Sequence, residues 1–288
     1  MSGWLVTGAA GQLGSDVVDV LHAYGEEVAA YDRKGLDITD RVMVRATMRL
    51  VEPSIVVNCA AYTAVDDAEA NEDSALEINA HGPAILGEEC ARTGARLIHV
   101  STDYVFAGDA ETPYDEKTRP APRTAYGRTK AAGEQAVLTS GADAYVVRTA
   151  WLYGQVGGNF VKTMAHLAQT RETVNVVDDQ VGAPTWTLHL ARALVALGIA
   201  DVAPGIWHCT NAGEASWYIF ARAIFAEMGL DPARVHPTTS EEFIRPAPRP
   251  AYSVLSTEKW QRAGLPELPH WRDALHEAFE TLDDELYG

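Results

Sequence analysis

Cysteine is scarce in this chain: Cys59, Cys90 and Cys209 are odd in number and far apart. That spacing excludes a disulfide framework and a cysteine-built metal knot, and leaves three small buried apolar residues. The nine histidines never fall into H-E-x-x-H or pair with the cysteines at ligand spacing, so neither structural zinc nor any required metal is expected. Cations are also in short supply, 23 Lys and Arg against 40 Asp and Glu, for a net charge of −17. Phosphate backbones and anionic bilayers are held by clustered Lys and Arg, so nucleic-acid and membrane-surface partners are excluded. No apolar run approaches the roughly 18 residues of a membrane span, and no basic start leads into an apolar signal segment. The expected location is the cytoplasm. Repeats, low-complexity segments and long polar linkers are missing too.

What is present is a 288-residue chain, 47% hydrophobic, long enough for one large domain with a smaller lobe. Continuous apolar runs at 27–31, 54–58, 96–100, 144–148 and 174–177 alternate with helical patterns at 42–50, 75–92, 125–138, 160–169 and 188–197. Such alternation predicts an α/β fold, a Rossmann-type doubly wound parallel sheet buried on both faces. Beyond about residue 150 the pattern loosens, with Gly- and Pro-bearing segments at 178–185 and 245–250. The expected division is a nucleotide-binding domain over 1–150 and a substrate-binding lobe over 151–288, with about 170–200 returning to the first domain. The acidic tail Asp283-Asp284-Glu285 reads as a solvated terminus.

Chemistry enters at two places. Trp4-Leu5-Val6 runs into Thr7-Gly8-Ala9-Ala10-Gly11-Gln12-Leu13-Gly14 and then into Val17, Val18 and Leu21 at helical spacing, which reads as strand, glycine turn and helix. Gly8 and Gly11 allow a tight turn of bare backbone on which a pyrophosphate can sit, and Gly14 allows close packing of helix on strand. Asp32, 24 residues after Gly8, stands where a carboxylate can hold a ribose hydroxyl. Farther on, Tyr126 and Lys130 lie four apart on one helix face, a phenol and an ammonium able to deliver a proton to a carbonyl oxygen. The strand Arg96–Val100 runs into Ser101-Thr102-Asp103, bringing the Thr102 hydroxyl to the same crevice, either as a hydrogen-bonding partner for that oxygen or as an ordinary turn residue.

These motifs in this order resemble the extended short-chain dehydrogenases over nearly the whole chain. More narrowly, Asn58-Cys59-Ala60-Ala61-Tyr62-Thr63-Ala64-Val65-Asp66, Ser101-Thr102-Asp103-Tyr104-Val105-Phe106, Arg148-Thr149-Ala150-Trp151 and Asp179-Gln180-Val181-Gly182-Ala183-Pro184-Thr185 are similar to the dTDP-4-dehydrorhamnose reductases. The resemblance implies reduction of a 4-keto-6-deoxyhexose carried on dTDP by a nicotinamide cofactor. Tyr126 would protonate O4, Lys130 would lower the phenol's pKa and hold the nicotinamide ribose, and Thr102 would complete the triad. It further implies Gly11, Gln12 and Leu13 at the pyrophosphate, Asp37 and Ile38 beside the adenine, and Ala61, Tyr62 and Thr63 toward the nicotinamide. Thr102, Asp103 and Trp151 would surround the hexose. Asn159, opening a helix, would meet the nucleotide, and Arg245 and Arg249 are diphosphate candidates because a forked guanidinium suits phosphate oxygens.

Asp32 favours a free ribose hydroxyl, whereas Arg33 and Lys34 suit a 2′-phosphate, so NADH and NADPH both remain, with NADPH preferred. A sugar-nucleotide dehydratase would carry Glu after Asp103, where this chain has Tyr104. Other 4-ketoreductases, a 4-epimerase and a non-catalytic NADP-binding regulatory subunit are the remaining alternatives. The 187–194 helix contains no Asp or Glu, so a Mg²⁺ bridge between copies is not expected there, and monomer and homodimer are both open.

Overall fold

The computed structural model describes residues 3–282; the Asp283-Asp284-Glu285 tail lies outside them. In chain order the elements are β1 (Trp4–Thr7), α1 (Gln12–Ala23), β2 (Val28–Tyr31), α2 (Arg41–Val51), β3 (Ile55–Asn58), α3 (Val65–Ala68), α4 (Glu72–Leu76), α5 (Gly82–Thr93), β4 (Arg96–Thr102), α6 (Ala125–Leu138), β5 (Asp143–Thr149) and β6 (Leu152–Tyr153). They continue with α7 (Phe160–Thr170), β7 (Val174–Val177), β8 (Val181–Gly182), β9 (Thr185–Trp186), α8 (Thr187–Ile199), β10 (Gly205–His208), β11 (Ala215–Ser216), α9 (Trp217–Glu227), β12 (Val235–Thr238), α10 (Glu258–Arg262) and α11 (Trp271–Leu282).

Six strands pair in the order β10-β5-β4-β3-β1-β2, all parallel. Parallel strands need helical crossovers, which cover both faces, so the strand residues are apolar on each side. On one face Trp4, Val6 and Val57 pack with Val17 and Leu21 of α1 and Leu190 and Leu194 of α8. On the other, Leu5, Val56, Leu97 and Val146 meet Val44 of α2, Leu86 of α5 and Val137 of α6. A third core, built from Met164, Phe220, Phe225 and Leu275, belongs to α7, α9 and α11.

Strand order reverses between β1 and β3, and a doubly wound sheet opens its binding crevice outside the carboxyl ends at that point. Thr7 Oγ1 donates to Asn58 Oδ1 at 2.7 Å across this seam. Two expectations are corrected here. The 174–177 run is not in the main sheet but pairs in parallel with β12 in the smaller lobe. The sheet's sixth strand is instead β10, paired with β5, while α8 returns to pack on α1. Nor is 75–92 one regular helix: a π-helical turn over Glu77–His81 separates α4 from α5. That wider turn carries Asn79, which is fully buried and clamps the loop after β3, its Oδ1 accepting from Tyr62 N and its Nδ2 donating to Tyr62 O.

Candidate active site

The glycine turn after β1 is shaped by two close approaches. Gly8 takes φ +67°, and a Cβ there would fall 2.6 Å from Ala60 N; one on Gly14 would fall 2.2 Å from Gly8 O. Only bare backbone passes between β1, β3 and α1 at these points. The first N–H groups of α1 have no intrahelical acceptor and sit at the positive end of the helix dipole. Beside this turn lies a cavity of about 320 Å³ bordered by Gly8, Gly11, Asp32, Arg33, Asp37 and Ile38. Asp32 closes β2, its Oδ1 accepting from Gly35 N at 2.8 Å, while Asp37 Oδ1 accepts from Thr39 N and Oγ1. Those bonds hold the Asp37 carboxyl below its ordinary pKa.

Gly11, Cys59 and Ala61 also border a second cavity of about 430 Å³, reached by Gln12, Leu13, Gly14, Thr63, Thr102, Asp103, Tyr126, Lys130 and Trp151. The two form one cleft along the strand ends. Thr124 caps α6, its Oγ1 accepting from Gly127 N, and thereby starts the helix so that Tyr126 and Lys130 present one face to the cleft. Thr102 fills the turn part of its expected roles, its Oγ1 accepting from Tyr104 N to cap the turn over Asp103–Val105 and donating to Asp103 Oδ1 at 3.0 Å. Burial drives the Asp103 carboxyl up to about 6.

The Tyr126 phenol, packed edge-on to Tyr104 at 5.6 Å, is pushed up to about 12 by burial, which the Thr102 hydroxyl partly offsets. Lys130, expected to draw this phenol down, is held by other partners. Lys130 Nζ donates to Val100 O at 2.6 Å and sits 3.5 Å from His99 Nε2. Lys130 is itself only 2% exposed, and burial lowers it to about 8 against the pull of Glu134. Behind it, Glu134 accepts from Ser101 Oγ at 2.6 Å and from Arg148 Nε and Nη2 at 2.8 and 2.6 Å, a buried two-pronged pair.

Trp151 and Trp217 stack face to face, centroids 3.5 Å apart, and Trp151 holds φ +48° where the chain leaves β5 for the smaller lobe. Trp217 and Tyr104 are shared with a third cavity of about 460 Å³, whose other walls include Met164, Val176, Gln180 and Phe243 with Arg245 and Arg249. Both arginines are tied to Asp66 across the cleft: Arg245 Nε at 2.9 Å and Arg249 Nη1 at 2.9 Å, joined by Ala247 N at 3.2 Å. Burial works against the Asp66 charge, but these three donors hold its carboxyl at about 2.

Over residues 2–283 the chain matches the family model described as the RmlD substrate binding domain. The chain belongs to this family. It is 52% identical over 282 residues to a Streptomyces antibioticus protein named a probable dTDP-4,6-dihydroxy-2-methyloxan-3-one 4-ketoreductase, covering 97% of this chain and 95% of that one. It is 51% identical to the dTDP-4-dehydrorhamnose reductase of Streptomyces griseus, covering 97% and 93%. Its fold superposes with a TM-score of 0.94 on a Bacillus anthracis dTDP-4-dehydrorhamnose reductase solved in complex with NADP, at 39% identity, covering 98% of this chain and 100% of that chain.

Within this RmlD-family cleft the structure brings together most residues singled out from the sequence, with three qualifications. Gln12 lines the cleft, yet its side-chain amide oxygen is taken up by Gly154 N and Tyr153 N, which leaves its N–H groups for a pyrophosphate. Asn159 does not border the third cavity; its Oδ1 caps α7 at Lys162 N and its Nδ2 donates to Gly154 O, while the neighbouring Phe160 reaches the wall. Tyr62 does border the cleft, with its hydroxyl donating to Asp67. Sequence reasoning missed Trp217, which reads as the first turn of an apolar helix, and His99, which reads as strand interior; Asn58 reads as a strand end but with no partner assigned to it.

Proposed function

We propose that this chain reduces the C4 ketone of a dTDP-4-keto-6-deoxyhexose, with dTDP-4-dehydro-L-rhamnose as substrate and dTDP-L-rhamnose as product, using NADPH or, less well, NADH. The observation that carries this reading is the convergence of Thr102, Tyr126 and Lys130 on the cavity that continues into the glycine turn of α1. The two relatives at about half identity support the keto-sugar class, and the NADP complex of the Bacillus anthracis protein supports the cofactor. The bare backbone at Gly8 and Gly14 and the carboxylate of Asp32 fit a dinucleotide.

A bound nicotinamide cofactor supplies the hydride to C4. Tyr126, kept protonated by burial, donates its phenolic proton to O4 as negative charge grows there. Thr102 Oγ1, beside that phenol, steadies the same oxygen by turning its single O–H from Asp103 Oδ1 to it. Lys130, fixed by Val100 O, turns its remaining N–H bonds to the cleft, where a ribose hydroxyl would accept. Trp151 with Asp103 bounds the hexose, and the apolar third cavity receives the base, with Arg249 nearest the diphosphate. Tyr104 follows Asp103 where a dehydratase needs a second carboxylate, which argues against water loss.

The test supplies the protein with dTDP-4-keto-6-deoxyglucose, a 3,5-epimerase and NADPH. One NADPH consumed per dTDP-L-rhamnose formed is the expected result. A different 6-deoxyhexose would move the reading to another 4-ketoreductase; product without net NADPH loss would mean epimerisation; NADPH binding without consumption would mean a regulatory subunit. Tyr126→Phe should cut turnover by about 10²–10⁴-fold while leaving NADPH affinity intact, as removal of an acid alone requires.

A further inference from the structure

His99 is fully buried at the centre of β4 and belongs to no expected site, yet its ring joins the β1–β3 seam to Lys130. Its tautomer follows from its neighbours. Asn58 Oδ1 accepts from Ala60 N at 3.1 Å and from Thr7 Oγ1 at 2.7 Å, and a backbone N–H can only donate, so the orientation of the Asn58 amide is fixed. Asn58 Nδ2 therefore donates to His99 Nδ1, 3.0 Å away. A neutral imidazole that accepts at Nδ1 carries its proton on Nε2, and Nε2 faces Lys130 Nζ at 3.5 Å.

An N–H cannot be donated to an ammonium, which has three hydrogens and no lone pair; it can be donated to a neutral amine. With Val100 O taking one Lys130 hydrogen, the amine satisfies every neighbour: lone pair to His99, one N–H to Val100 O, the other to the cleft. We propose that His99 is a positioning residue for the reduction, its Nε2–H locked by Asn58 and Thr7 so that Lys130 is held in readiness to lose its proton. This rests on the reading of Lys130 as part of the catalytic set. The other ionisable groups around the Lys130 ammonium are Glu134, one turn along α6 and bound to Ser101 and Arg148, and the Cys59 thiol, which burial raises to about 12. Glu134 favours the ammonium and the buried thiol is uncharged, so His99 is the neighbour whose hydrogen opposes it. Burial lowers Lys130 as well, so the contact with His99 adds to a bias already in that direction.

The ring-nitrogen chemical shifts of His99 in isotopically labelled wild-type protein should show hydrogen on Nε2 only; hydrogen on Nδ1 overturns the proposal. His99→Gln puts a carboxamide near the Nε2 position, free to turn its oxygen to Lys130. The Lys130 side-chain resonance, recognised by its loss in Lys130→Ala, should then titrate higher by about one pH unit. The alkaline limb of kcat should move up with it. An unchanged Lys130 titration in a folded His99→Gln protein also overturns the proposal, and if that variant does not fold the wild-type tautomer decides alone. Should Lys130→Ala retain full turnover, the catalytic reading fails, and the tautomer measurement reports separately on the His99–Lys130 contact.

Discussion

At the scale of single residues, the cleft spends stability on chemistry. Burial holds Lys130 near 8 against an ordinary 10.5, so over that window the unfolded chain binds the extra proton and the folded one does not. Stability from this group therefore rises with pH between those values, and the full cost is felt below about 8. Lys130→Met, apolar and of similar length, should be more resistant to urea than wild type at pH 7. The difference should narrow steadily as pH is raised toward 10.5. Cofactor choice is also a single-residue matter: Asp32 is partly engaged by Gly35 N, and Arg33 borders the same cavity. Arg33→Ala should weaken NADPH by roughly tenfold, the worth of one charge-assisted contact, and leave NADH nearly untouched, as fluorescence titration of both would show.

At the scale of elements, α6 carries the phenol and the amine, and its seat is a buried charge pair. Glu134 and Arg148 are 3% and 0% exposed and join α6 to β5, with Ser101 bringing in β4. Glu134→Gln would leave an uncompensated guanidinium in the core and should cost about 3–5 kcal/mol in urea unfolding, since breaking one side of a buried pair strands the other. Elements also decide what was readable in advance. Strands β1 and β3 are four residues of almost continuous apolar sequence, and β4 and β5 carry the apolar stretches Leu97-Ile98 and Ala144–Val147 within seven residues; burial on both faces leaves that signature. β7 carries much the same signature because it too is mostly buried, so sequence alone could not tell the small lobe's ladder from the main sheet. β10 runs only from Gly205 to His208 and opens on glycine, which hides a strand. The glycine turn and the Tyr126–Lys130 pair were legible because their geometry is local. The Arg245–Asp66 tie spans 179 positions and the Glu134–Arg148 pair 14, and only the folded chain brings such partners together.

At the scale of the whole molecule, the chain does not divide cleanly near residue 150. The layer that covers α1 and the strand that extends the sheet past β5 come from 187–208, after the chain has already visited the smaller lobe. The cleft is consequently walled by both halves, with Tyr126 on one side and Trp217 on the other. The stacked indoles of Trp151 and Trp217 sit at that junction, centroids 3.5 Å apart with planes 4° from parallel. Of the seven tryptophans, Trp207 and Trp260 form the other close pair, edge-on at 6.1 Å. Two indoles face to face share their excited states, so the protein carries a built-in optical gauge: a split near-ultraviolet circular-dichroism band that vanishes in Trp217→Phe. Sugar nucleotide entering the cleft that both rings border should alter this band without any added label, turning substrate occupancy into a signal readable in the unmodified enzyme.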